Sequence, residues 1–205
     1  YYAKQMAAAH TEGRICKVPH DPVLPVHTVW DLGVADSCAI IFYQIYGMEK
    51  RIIDYYENSG EGLAHYIKVL SDRDYIYGSH HAPWDIEVRE LGTGKSRLET
   101  AKSLGIKFQV LKQHDVNDGI EMARNLMASC WFDEEKCDRL IMALREYCKE
   151  WDEKLKCFKD RPLHNWTSHP ADAFRYLAMA QPKRKKYGEK PPQDKADADY
   201  DIYAA

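Results

Sequence analysis

Three aspartates stand where their chemistry is at odds with their surroundings. Asp31 follows Val29 and Trp30 in the β-branched, aromatic run HTVWDLG (27–33). Strand interiors are depleted in Asp, and a buried carboxylate is costly unless it is paired or bound to a cation. Taken alone, an Asx turn in Asp31-Leu32-Gly33 accounts for it equally well. Asp85 lies in HHAPWDIEVRE, just past another strand-like run, and a loop aspartate after Pro83 is its ordinary explanation. Asp172 lies near the start of SHPADAFRYLA, where the helix dipole favours a carboxylate without any function. Together, three carboxylates on three separate elements can converge on Mg2+ or Mn2+, hard cations suited to carboxylate oxygens. Two such ions about 3.5–4 Å apart would activate a water and stabilise the leaving oxygen of a phosphodiester. Asp36, Asp54 and Glu57 are candidate fourth members. Asp36 fits a hairpin turn equally well, and Glu57 fits a charged strand end.

His169 precedes Asp172 by three residues, so the two share a helix face if the helix has begun there. It can tune a metal site or move a proton, although Ser168-His169-Pro170 also reads as a plain helix start. The stretch GTGKSR (92–97) resembles a phosphate-binding loop, but the full pattern needs a glycine where Arg89 stands. Its glycines, with Arg89, Lys95, Ser96 and Arg97, better suit a mobile loop that approaches a DNA backbone. The six cysteines form no CxxC pair and match no zinc ligand set, so they read as free thiols.

These residues need elements to hold them. Residues 27–33, 37–47 and 50–58 read as three strands with short connections, an antiparallel meander. Leu63, Tyr66, Ile67 and Leu70 then recur at helical spacing. Residues 75–82 and 107–111 read as a fourth and fifth strand, with a short helix at 96–105 between them. Helices are expected at 115–129, 133–149 and 168–180, and an exposed hairpin at 151–166. That order predicts an α/β, ribonuclease-H-like mixed five-stranded sheet, antiparallel on one side and parallel on the other, flanked by helices. Strands one and four would be neighbours, bringing the ends that carry Asp31 and Asp85 together.

The chain has 205 residues, 45% hydrophobic, with a net charge of -3. This suits one domain with loose ends and excludes disordered and membrane-spanning classes. The balanced charge gives no sign of nucleic acid, which leaves that inference to local patches. Residues 1–26 read as the end of a preceding helix and an extended linker, 27–180 as the main domain, and 181–205 as a polar, flexible tail with a basic PKRKK.

Four segments, WDLGVADSCAI (30–40), IIDYYENSGEGLAHYI (52–67), APWDIEVRELGTGKSRLE (82–99) and SHPADAFRYLAMA (168–180), carry a resemblance. Over about residues 1–180 the chain resembles the C-terminal nuclease domain of the large subunit of tailed-bacteriophage terminases. The resemblance implies a metal-dependent endonuclease that cuts concatemeric double-stranded DNA, with Asp31, Asp85 and Asp172 as catalytic and metal-binding residues. It also implies Mg2+ or Mn2+, a preceding ATPase motor domain that residues 1–26 would end, portal and small-subunit partners, the host cytoplasm, and no membrane. One departure is Pro83-Trp84-Asp85, where relatives often carry Pro-His-Asp. Rival readings are a resolvase- or integrase-type nuclease of the same fold, a phosphotransfer enzyme using GTGKS, and a non-catalytic portal- or capsid-docking module.

Overall fold

The computed structural model describes residues 1–33, 37–90 and 94–181. Asp36, residues 91–93 of the glycine-rich loop and the tail with its PKRKK stretch lie outside the described residues. The chain begins with helix α1 (Ala3–Thr11) and a two-residue strand, β1 (Ile15–Cys16). The expected meander follows as β2 (Val26–Leu32), β3 (Ser37–Tyr46) and β4 (Glu49–Ser59). Then come α2 (Leu63–Ser71), β5 (Tyr77–Ala82), a single 3-10 turn (Trp84–Glu87), α3 (Arg97–Ser103) and β6 (Phe108–Val110). Helix α4 (Val116–Met127), β7 (Cys130–Asp133), α5 (Asp138–Glu146), a hairpin β8 (Lys149–Asp152) and β9 (Cys157–Pro162), and α6 (Ser168–Ala180) complete the described chain.

The sheet runs β1-β7-β4-β3-β2-β5-β6. Strands β2, β3 and β4 pair antiparallel, while β5, β6, β7 and β1 all join parallel. The sheet is therefore mixed as expected, but wider than five strands, and parallel strands flank the meander on both sides rather than one. The two additional strands are β1 and β7. Residue 133, expected to open a helix, instead ends β7, and Asp133 accepts the backbone N–H groups of Val18, Glu135 and Lys136.

Seven consecutive residues of β3, Cys38–Gln44, are buried, which requires cover on both faces of the sheet. One face packs Val29, Ile41, Ile52 and Phe132 against α1, α4, α5 and α6 through Met6, Ile120, Leu140 and Phe174. The other packs Trp30, Phe42 and Ile53 against Tyr66 and Leu70 of α2 and Ile86 of the 3-10 turn. Tyr2 and Met6, in the stretch expected as stub and linker, are fully buried in the first of these clusters. Helix α6 lies across β2 and β3 with α4 and α5 beside it, and this docking carries Asp172 to the sheet.

Candidate active site

Asp31 sits near the end of the central strand β2, opposite Ala39 of β3, on the face covered by α6. It is 9% exposed, and its Oδ2 lies 2.8 Å from Nδ1 of His169 in the first turn of α6. The Asp31 carboxyl is pushed up to about 6. Burial is the chief cause, the charges of Asp172 and Asp85 add to it, and the His169 hydrogen bond pulls the other way.

Asp85 arrives from the neighbouring strand. The parallel register sets His81 beside Val29, so both strands leave the sheet at the same end, and Asp85 sits in the 3-10 turn that follows Pro83. Its Oδ1 is buried without a hydrogen-bond partner. Asp172 comes from the α6 side with its side chain 28% exposed, and its Oδ1 accepts from Nη2 of Arg175 at 2.9 Å. The phenol of Tyr176 is raised by burial and feels the charges of all three carboxylates.

A buried carboxylate raised by two carboxylates near it, one of them with an orphaned buried oxygen, suits a hard divalent cation that would relieve both penalties. As the side chains stand, no three of the described His, Cys, Asp and Glu residues form a coordination-ready group. His169 engages Asp31 and Arg175 engages Asp172, while Asp85 keeps a buried oxygen without a partner.

The remaining candidates divide. Glu57 lies in the same row of the sheet as Asp31, with only Ala39 between them. It accepts from the Tyr55 hydroxyl at 3.0 Å and lies 3.4 Å from Nε of Arg139, whose guanidinium stacks 4.1 Å from the Trp166 ring. Glu57 thus borders the site at the edge of an open polar cleft. Asp54 is turned away and paired with Arg73 at 2.7 Å. In the glycine-rich loop, Ser96 caps α3 through a reciprocal capping box with Glu99. Nη1 of Arg97 donates to the Leu32 carbonyl at 2.7 Å, bracing the end of β2 beside Asp31. Arg89 and Lys95 are exposed at the loop's surface, and Arg89 bridges to Ser96 in a small antiparallel turn.

Two residues around Asp172 escaped the sequence reading. Arg175 is only 5% exposed in the middle of a helix, and His114 touches it. The available signal was a charged residue on the apolar face of the last helix.

The sequence matches no protein-family model and no curated protein. Solved structures do resemble it. The large terminase of a thermophilic bacteriophage, in complex with ADP, superposes with a TM-score of 0.65 at 16% identity over 86% of this chain and 44% of that one. The P22 large terminase nuclease domain gives 0.61 at 17% identity, covering 82% and 88%. The nuclease domain of the bacteriophage SPP1 large terminase, with bound Mn, gives 0.50 at 15% identity, covering 74% and 84%. At these identities the likeness establishes the ribonuclease-H-like fold. The chain spans less than half the length of the ADP-bound large terminase.

Proposed function

We propose that this chain is the metal-dependent endonuclease part of a viral DNA-packaging terminase, acting on double-stranded DNA. What supports the reading is that Asp85 after β5 and Asp172 on α6 lie close enough to buried Asp31 for their charges to act on it, with His169 of α6 bonded to Asp31 and β5 in register beside β2. The likeness to terminase nuclease domains supports the same reading, and the manganese bound by the SPP1 domain supports a divalent cation.

In this reading Asp31, Asp85 and Asp172 hold the cation or pair of cations. A bound divalent ion polarises the scissile phosphate and makes a water nucleophilic at neutral pH. The chain's own residues prepare that chemistry. His169 orients the Asp31 carboxylate through Nδ1, and Arg97 fixes the strand end by holding the Leu32 carbonyl. Arg89 and Lys95, exposed on the adjoining loop, supply phosphate contacts that position the duplex without reading its sequence. The division into residues 1–26 as a connection to an ATPase motor, 27–180 as nuclease and 181–205 as tail belongs to this proposal. So do portal and small-subunit partners and action in the host cytoplasm.

Nicking and linearisation of a supercoiled plasmid with Mn2+ or Mg2+ tests the reading. The wild-type chain is expected to cut, and Asp31→Asn or Asp172→Asn to lose about 100-fold or more, since even residues behind metal ligands cost 10–100-fold. Full activity in either variant rejects the assignment.

A further inference from the structure

The Arg175 side chain crosses from α6 to α4 through a gap that only a glycine leaves. A Cβ on Gly119 of α4 would lie 2.8 Å from both Cγ and Cδ of Arg175, and 2.7 Å from Nε2 of His114. Real Cβ atoms essentially never make such contacts, so a side chain at 119 forces a shift against both Arg175 and His114. Glycine inside a helix is also unfavourable by itself, which makes the notch a feature that needs a reason. Nη1 of Arg175 lies 2.8 Å from that same Nε2. Because arginine can only donate, the ring must accept there and carry its proton on Nδ1, which faces the Lys112 carbonyl at 3.3 Å. The guanidinium carbon sits 4.8 Å from the Tyr176 ring centre. Held on these sides, Arg175 turns its other two nitrogens to one oxygen of Asp172, with Nε at 3.3 Å and Nη2 at 2.9 Å from Oδ1.

A buried ion pair is a poor device for joining two helices, because an apolar residue of similar size does so without desolvating charge. What this arrangement achieves that an apolar contact would not is to fix the Asp172 carboxylate by a forked contact on one oxygen, leaving the other out of the fork. Carboxylates that bind metals are oriented in this way by hydrogen bonds behind them. We propose that Arg175, threaded past Gly119 and held by His114, is the positioning residue that sets the Asp172 carboxylate for a divalent cation. This rests on the nuclease reading above and assigns the part of the site that no carboxylate supplies.

The test is Mn2+ binding by the 205-residue chain, measured by calorimetry without DNA, alongside the melting temperature in chelator. Arg175→Met and Gly119→Ala are expected to weaken Mn2+ binding by about tenfold or more. Arg175→Lys, which keeps charge but not the fork, is expected to restore only part of it. Ile120→Val, a packing change on the same helix, is expected to lower the melting temperature while leaving Mn2+ affinity unchanged. In an Asp172→Asn background, Arg175→Met is expected to have no further effect on affinity. Should Arg175→Met fail to fold, Gly119→Ala and Arg175→Lys carry the same comparison. Tight wild-type binding that is unchanged in the Arg175 and Gly119 variants overturns this inference alone. So does a loss of the same size with and without Asp172. No saturable wild-type Mn2+ binding overturns the nuclease reading and this inference with it.

Discussion

Asp31 shows how one residue's surroundings convert into a measurable quantity. An aspartate in the unfolded chain has its ordinary value near 3.8, and in the folded chain burial pushes Asp31 up to about 6. The proton is therefore held more tightly in the folded state. Its contribution to stability is complete below the unfolded value and is lost as pH rises through the folded one. Asparagine keeps an acceptor oxygen for His169 and never ionises. In chelator, urea unfolding should show Asp31→Asn gaining about 2 kcal/mol on the wild type between pH 4 and pH 7. A pH-independent difference would mean that the carboxylate is not held in the buried setting described. The same reasoning separates residues of similar appearance in the sequence. Asp54 and Glu57 are both carboxylates on β4, yet Asp54 is satisfied by Arg73 and Glu57 by Tyr55 and Arg139, so neither is as deeply buried as Asp31 or carries an unpartnered buried oxygen like Asp85.

At the scale of elements, the loop after Asp85 turns out to be a support. Ser96 and Glu99 close the start of α3 reciprocally, and Arg97 at its first position grips the end of β2. Ser96→Ala should cost about 1 kcal/mol of stability in a denaturant titration, the usual worth of an N-cap. Plasmid cleavage should fall with it, because the brace on Leu32 loosens. A variant as stable as the wild type would show that α3 does not depend on its cap. The long elements were legible in the sequence for a physical reason. Strands β2, β3 and β4 are continuous β-branched and aromatic runs, and α2 and α4 repeat their apolar residues with helical period. Strands β1 and β7, two and four residues long, carry no such pattern, because the two partners lie over a hundred residues apart in the chain. The sequence left only a faint trace of the buried Arg175, a charge on the apolar face of the last helix. A charged residue in the last helix ordinarily faces solvent, and only the notch at Gly119 gives it somewhere else to go.

Across the whole molecule, the -3 balance conceals a site with its own local charge. Among the described residues no helix is long and apolar enough to cross a membrane. The fold gathers carboxylates against one another, so a cation that binds the folded chain and not the unfolded one must stabilise it. At about 100 times its dissociation constant, Mn2+ should add roughly 2.7 kcal/mol, visible as a rise in melting temperature that chelator reverses. Asp31→Asn should lose most of that rise. An equal rise in the variant would place the binding elsewhere. The meander, the fourth and fifth strands and the choice of Asp31, Asp85 and Asp172 as candidates can be read from the sequence by itself. Period, composition and the misfit of a carboxylate in an apolar run are local properties. Their approach to one another is not local. It depends on the parallel register that sets β5 beside β2, and on α6 lying across that strand. Both are decided by burial of the apolar surface on the two faces of the sheet, and that is why only the tertiary structure could pair His169 with Asp31 and thread Arg175 behind Asp172.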